Sequence, residues 1–340
     1  MKTSLFPARV YRTIALLMRC AVAIALLASP LPALASPLPA FAKTTLRVGH
    51  FPNITHIQGL VAHGLSRQGK GWFEQHLGNE VIIEWFVYNA GPSAMEAIFA
   101  KSIDLTYVGP SPAINAYAKS KGEEVRIVAG AANGGSALVV QADSNLKTAA
   151  DFRGKKIATP QLGNTQDVAA RSWLVAGGLK ITQMGGDAQV IPTANPDQLL
   201  LFKQKQLDAV WTVEPWVSLL ETEAGGKVLV EEPEAITTVL VSRSDVLQTQ
   251  KEMVQKFVEA HRALTDWIKA NPAEAQRLAR EELIAETRAN VSADLMARSW
   301  KRIVLTNEVS PEVVAKSVTS AQAAGFLRDA PDLSRLIEKP

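Results

Sequence analysis

"GPSAMEAIFAKSIDLTYVGP" (Gly91–Pro110) has a counterpart far downstream, "NPDQLLLFKQKQLDAVWTVEP" (Asn195–Pro215). Each opens on a small capping residue followed by proline, a pairing suited to a first helical turn. Each continues as an apolar-faced helix of about three turns. Each then reaches an apolar–Asp pair, Ile103-Asp104 and Leu207-Asp208, and Pro92 is as far from Asp104 as Pro196 is from Asp208. A short strand follows in both, "LTYVG" and "AVWTV", and stops at a proline able to open another helix. A second echo runs in the same order: "LRVGHFPNITH" (Leu46–His56) and "KKIATPQLGNTQD" (Lys155–Asp167) both read as strand, polar turn, capped helix. One such likeness arises easily by chance. Two in the same order predict an α/β chain of two lobes built alike, each a mostly parallel sheet flanked by helices.

The points where the chain passes between lobes follow from two further strands, "SALVVQADS" (Ser136–Ser144) and "TTVLVSRSD" (Thr237–Asp245), which bracket the second half-repeat. They place lobe I at 43–135 plus 242–340 and lobe II at 136–241, joined by two hinge crossings suited to closing on a ligand. Beyond Gln248 the chain reads as helices. Met253, Phe257, Ala260, His261 and Leu264 share one stripe, and Pro272, Ser292 and Pro311 mark later helix starts.

Sheets with parallel strands bind ligands beyond the strands' carboxyl ends, where helices begin. Four helix N-termini are therefore expected to face a shared cleft, after Pro52, Gly91, Gly109 and Gly163. Each offers unpartnered N–H donors and the positive end of a dipole, which suits a small anion or the anionic end of a small molecule. Their small polar caps supply the candidate ligand residues Asn53, Gly91, Ser111, Asn164 and Thr165, with Asn53 expected to cap the first helix. Gly109 keeps side chains out of the way at the corner before Ser111. Gln166 adds a neutral side chain that both donates and accepts. His56 sits where a helix dipole disfavours imidazolium, so it would meet an anion as a neutral donor. Phe51 is a candidate apolar wall, and Ser136 follows Gly134-Gly135 at a place where backbone can approach a ligand. Glu214 breaks the anion theme. It is expected to meet an ammonium or hydroxyl on the ligand, to close the lobes by a hydrogen bond, or to cap the helix opened by Pro215; the residues leave these open.

Charge narrows the partners. The chain of 340 residues carries 36 Lys+Arg against 33 Asp+Glu. Lys2, Arg9, Arg12 and Arg19 precede the apolar run "AVAIALLA" (Ala21–Ala28), and Ala33-Leu34-Ala35 and Ala40-Phe41-Ala42 follow as small-x-small sites. This is the pattern of a secretory signal peptide over 1–42, with an alternative cleavage after residue 35. Without those four basic residues the balance is 32 against 33, nearly neutral, which gives no support to a nucleic-acid partner. The only cysteine, Cys20, precedes the apolar run, the wrong order for a lipoprotein, so the mature chain is expected to be periplasmic and free of disulfides. His50, His63, His76 and His261 show no metal-ligand spacing, and no cofactor or metal is expected. No set of nucleophile, base and orienting group is visible, which argues against an enzyme.

The run "NAGPSAMEAIFAKSIDLTYVGPSPAI", with "DFRGKKIATPQLGNTQD" and "LDAVWTVEPW", resembles the nitrate/sulfonate/taurine group of ABC-transporter substrate-binding proteins over nearly the whole chain after residue 42. The resemblance implies the type II periplasmic binding protein fold. It also implies a monomer that delivers an anion-bearing small molecule, an aliphatic sulfonate, taurine or nitrate, to a permease and its ATPase subunits. Gly109-Pro110-Ser111-Pro112 stands where many sulfonate binders have Gly-Glu-Ala-Pro, and Val213-Glu214-Pro215 replaces a Trp-Asp-Pro corner. The same fold includes an enzyme of thiamine-pyrimidine synthesis, and relatives of that enzyme bind thiamine precursors; its cysteine-rich motif is absent from this chain. A pyrimidine binder and a ligand-presenting partner of a sensor kinase are the alternatives.

Overall fold

The computed structural model describes residues 43–78 and 80–340. The expected signal peptide, with both cleavage sites, lies outside the described residues. Strand β1 (Thr44–His50) leads through a 3-10 turn (Ile54–His56) into α1 (Ile57–Arg67). Then come α2 (Trp72–Leu77), β2 (Val81–Val87), α3 (Gly91–Phe99), β3 (Leu105–Val108), α4 (Pro110–Lys119) and β4 (Val125–Gly134). The middle of the chain holds β5 (Ser136–Val140), β6 (Lys156–Thr159), α5 (Thr165–Ala176), a small hairpin of β7 (Ile181–Thr182) and β8 (Gly185–Gly186), and β9 (Gln189–Pro192). It ends with α6 (Asn195–Lys203), β10 (Ala209–Val213), α7 (Trp216–Ala224) and β11 (Lys227–Glu231). The last part contains β12 (Ile236–Arg243), α8 (Ser244–Thr249), α9 (Lys251–Ala270), α10 (Pro272–Thr287), α11 (Ala293–Trp300), β13 (Ile303–Leu305) and α12 (Pro311–Ala323). Among the described residues no helix is long and apolar enough to cross a membrane.

Two main sheets form the lobes, in the orders β13-β4-β12-β3-β1-β2 and β11-β5-β10-β6-β9. Each is mixed, with most of its strands running one way and reversed strands inserted among them. β3, β1 and β2 run parallel, as do β10, β6 and β9. Antiparallel pairings extend both sets: β12 pairs with β3 and β4, and β13 with β4, in lobe I, while β5 pairs with β10 and β11 in lobe II. The return crossing also falls earlier than expected. β12 lies wholly in the lobe I sheet, so the boundary set between 241 and 242 cuts through a strand; the chain crosses back between β11 and β12. All eight β12 residues are buried, and a strand buried on both faces carries no alternation to say which sheet it joins.

Apolar periodicity sets the helix faces. Ile57, Leu60 and Val61 of α1 are fully buried on the lobe I core, and α9 adds Val254, Phe257, Leu264 and Ile268. Phe257 stacks on Phe73 with ring centroids 3.9 Å apart. Removing either ring would cost about 3–5 kcal/mol, the usual figure for a buried Phe cut to Ala.

The repeated aspartates perform one task twice. The Asp104 carboxylate accepts the Arg47 backbone N–H at 2.8 Å, and the Asp104 N–H donates to the Arg47 carbonyl at 2.8 Å. In lobe II the Asp208 carboxylate accepts the Lys156 N–H at 2.8 Å, and the Asp208 N–H donates to the Lys156 carbonyl at 3.0 Å. Each carbonyl in turn accepts from the antiparallel neighbour: Asp104 from the Arg243 N–H at 2.9 Å, Asp208 from the Gln141 N–H at 3.4 Å. A charged side chain thus pins strand to strand at the same place in each sheet.

The crossings are tied to each other. Gly134 and Gly135 both have φ of +70°, and a Cβ on Gly134 would stand 2.4 Å from the Arg302 carbonyl oxygen, so only glycine fits. The Gly134 N–H donates to the Ala235 carbonyl at 2.9 Å, and the Glu214 N–H to that of Gly135 at 2.8 Å. Beside them Arg302, after α11, reaches Glu214 at 2.9 Å, Glu221 at 3.0 Å and Glu231 at 3.2 Å, three carboxylates of lobe II.

Candidate functional site

A cleft lies between the lobes where the strands end. From lobe I it is walled by Phe51, Asn53 and His56 after β1, by Gly91 at the start of α3 and by Gly109 before α4. From lobe II it is walled by Asn164, Thr165 and Gln166 at the start of α5. The fold therefore brings together eight of the eleven residues singled out in the sequence. It adds Thr55, Asn89, Ala90, Pro112, Pro160, Val213 and Thr237. Asn89 and Pro160 follow β2 and β6 at strand ends, a position that topology favours and local sequence does not mark. Thr237 belongs to β12, whose sheet was not legible.

The other three sit elsewhere. Ser111, in the first turn of α4, lines a neighbouring hollow with Thr165 and Val313. Ser136 is buried and accepts a hydrogen bond from Trp211 Nε1 at 3.2 Å. Glu214 is fully buried outside the cleft lining. It accepts from the Ser218 N–H at 3.1 Å and hydroxyl at 2.9 Å, and pairs with Arg302. Its carboxylate is thus both the cap of α7 and one end of a link between lobes. Burial raises its pKa, opposed by the Ser218 bonds and by Arg302.

Asn53 precedes the 3-10 turn without capping it. Its side-chain oxygen instead accepts from Trp216 Nε1 at 3.2 Å and from Asn195 Nδ2 at 3.5 Å, both in lobe II. Asn164 does cap α5, accepting from the Asp167 N–H at 2.8 Å, and its amide donates to Gln166 at 3.0 Å. Behind them Asp167 accepts from the Gly163 N–H, Thr159 and Arg171, all at 2.8–2.9 Å, which fixes the loop from inside.

Three helices begin in the wall, α3, α4 and α5, and their first-turn N–H groups carry partial positive charge. Pro110 and Pro112 lack an N–H, so Ser111 is the one backbone donor among the first three residues of α4. The lining contains no Lys, Arg, Asp or Glu. Two buried side-chain atoms there have no protein partner, His56 Nδ1 and Thr165 Oγ1. His56 packs on Phe51 with centroids 4.2 Å apart. Burial pushes its pKa well below the ordinary histidine value, so the ring is neutral. The cavity is about 20 Å³, little more than the roughly 10–15 Å³ one water needs. Gly109 and Thr165 meet across it: a Cβ on Gly109 would lie 2.2 Å from Thr165 Oγ1.

Comparison with known proteins agrees with this architecture. A Brucella abortus protein named as a binding protein is 27% identical over 210 residues, 60% of this chain and 61% of its own length. The chain thus spans about three fifths of that relative. An Escherichia coli protein named as an aliphatic sulfonates-binding protein is 31% identical over 153 residues, 44% of this chain and 46% of its own. Among solved structures, the alkanesulfonate-binding protein SsuA from Xanthomonas axonopodis pv. citri bound to MOPS superposes with a TM-score of 0.68 at 20% identity, covering 87% of this chain and 99% of that one. That likeness extends to the fold, and it agrees with the two-lobed architecture expected from the internal repeat. The NMT1-like family matches residues 40–283, both half-repeats and the entire cleft wall included, and the chain belongs to that family.

Proposed function

We propose that this protein captures a small organic anion of the aliphatic sulfonate class between its lobes, in the periplasm, and delivers it to an ABC permease. The observation that carries the reading is a cleft walled by three helix starts and neutral polar groups, with no charged side chain in its lining. Backbone N–H groups at helix N-termini bind an anion without a countercharge. The Thr165 hydroxyl and the neutral His56 ring supply two further buried groups that lack a protein partner. A charged amine on the ligand would find no carboxylate here, so a plain alkanesulfonate is favoured over zwitterionic taurine. The small cavity implies that the lobes part to admit the ligand and close over it. The relatives named for sulfonate binding support the class, and a binder rather than an enzyme fits a lining without a nucleophile paired to a base.

Thermal-shift and calorimetric titration with ethanesulfonate, taurine, nitrate, an uncharged sulfone of matched size and a thiamine-type aminopyrimidine tests this. Binding of the sulfonate with none of the sulfone is the expected result. At a hundredfold excess over Kd the stabilisation is about 2.7 kcal/mol. Equal binding of the sulfone, or binding of the pyrimidine alone, would overturn the anion reading.

A further inference from the structure

Behind the cleft wall, on the far side of Phe51, three side chains from distant parts of the sequence converge. His50 ends β1, His63 lies in α1 and Glu286 in α10. His50 Nε2 is 3.0 Å from His63 Nδ1 and 3.0 Å from Glu286 Oε1, and His63 Nδ1 is 2.9 Å from the same oxygen. Glu282 Oε1 stands 3.0 Å from His63 Nδ1 and is held by Arg67 Nε at 2.8 Å. The cluster is largely buried: the side chains of His50, Glu286 and His63 are 0%, 2% and 11% exposed. Gly59 makes room for it, since a Cβ there would stand 2.7 Å from that of His50.

Hydrogen counting shows what these atoms lack. A carbonyl oxygen only accepts, so a hydrogen on His50 Nδ1 faces the Phe51 carbonyl oxygen at 3.3 Å, and Nε2 is turned towards the carboxylate and the second imidazole. His50 Nε2, His63 Nδ1 and Glu286 Oε1 lie 2.9–3.0 Å from one another, so a shared positive centre, a proton or a metal cation, must lie among them for these contacts to attract. His63 Nδ1 has at most one hydrogen to give, and three polar atoms surround it at 2.9–3.0 Å: His50 Nε2, Glu286 Oε1 and Glu282 Oε1. Glu286 Oε2 is also buried without a partner. One positive centre bound by all of them would satisfy the set.

We propose that His50, His63 and Glu286 form a binding site for a divalent transition-metal cation, of which zinc is the best match. Two imidazole nitrogens and a carboxylate oxygen are zinc donors, whereas calcium and magnesium prefer oxygen alone. An ion at about 2.0–2.1 Å from each donor would sit out of the plane of the three atoms. The donors need spread by only a few tenths of an ångström to reach tetrahedral separations. Glu282 stands beside the fourth position. The contact of His50 Nδ1 with a backbone carbonyl is the outer-shell bond that orients a metal-bound imidazole. Such an ion would tie β1 to α1 and α10 directly behind Phe51 and His56. Its role would be structural, and the site is independent of which ligand the cleft takes.

The test uses the full-length chain, stripped with EDTA and titrated with zinc chloride against a chromophoric chelator. One equivalent of zinc is expected to bind, with a raised Tm. His63→Gln and Glu286→Gln should weaken binding by more than the roughly 10–100-fold that loss of an outer-shell partner costs. His76→Gln, on the exposed end of α2, serves as the control and should change nothing. X-ray absorption of the zinc-loaded wild type should show two imidazole ligands, a readout that needs no variant to fold. If the wild type takes up no stoichiometric zinc and its Tm is unmoved, protons alone hold the cluster and the proposal fails. Undiminished uptake by both folded variants, or zinc without imidazole ligands, would overturn it equally.

Discussion

Gly109 and Thr165 are the pair through which the two halves of the cleft touch most closely. A methyl group on Gly109 would crowd Thr165 Oγ1 at 2.2 Å and its Cβ at 3.2 Å. Gly109→Ala should therefore turn the hydroxyl away or hold the walls apart. Its loss in affinity should match that of Thr165→Ala, about 1.5–3 kcal/mol for a hydrogen bond to a charged group. Because both changes act on one contact, the double variant should lose less than the sum, as calorimetry would show; strictly additive losses would separate the two residues. Glu214→Gln should behave differently. It lies outside the lining, so Tm should fall as the Arg302 pair weakens while the ranking of anions over zwitterions stays the same. His261 answers to pH. Its Nε2–H donates to the Gly130 carbonyl at 2.8 Å and its Nδ1 accepts from the Tyr107 hydroxyl at 3.0 Å. Burial holds it at about 4 against an ordinary 6.5. The unfolded chain takes up a proton near 6.5 that the folded one refuses until about 4, so stability is full above that window and falls as pH drops through it. The loss is about 3 kcal/mol at ~1.36 kcal/mol per unit. Urea midpoints of His261→Gln should vary less between pH 4 and 7 than those of the wild type.

At the scale of elements, Asp104 and Asp208 make the repeat physical. Each replaces a gap at the strand edge with a charge-assisted bond to backbone. Asp104→Asn and Asp208→Asn should each cost about 1.5–3 kcal/mol in denaturant unfolding. The larger loss is expected at the buried Asp104, which also meets Arg47 at 2.7 Å and Arg243 at 3.5 Å. A change within about 0.5 kcal/mol, the ordinary range for surface sites, would remove the clamp from the account. These aspartates also explain what was legible in advance. The helix–Asp–strand unit recurs at fixed spacing because both copies solve the same geometric problem, and the helix starts that wall the cleft carry local signals in Gly, Pro and Asn. Strand direction has no such signal. A fully buried strand such as β12 reads alike whether it pairs parallel or antiparallel, so the reversed strands and the true crossing were not readable. Nor was the convergence of His50, His63 and Glu286, which depends on α10 packing against α1. Asn53 has the residue type of a cap, yet its oxygen is taken by Trp216, a tertiary contact that outweighs local preference.

For the molecule as a whole, the crossings and the Arg302 link limit how the lobes can move. Ligand should lower the radius of gyration measured by small-angle scattering, and Arg302→Gln should raise that of the ligand-free protein by loosening three carboxylate contacts. An identical radius in all three states would point to a rigid cleft. The position of β12 has a further effect, on the order of assembly. It is the strand that joins β4 to β3, and it is made only after all of lobe II. During synthesis the strands β1 to β4 therefore wait with an open edge, while the intervening 136–231 is one unbroken length that can form its own sheet. Long-range closure of this kind is slow and leaves unpaired edges exposed in the meantime. The nascent chain consequently stays short of a finished first lobe well after the middle of the sequence has emerged, and that middle is the first stretch able to complete its own sheet.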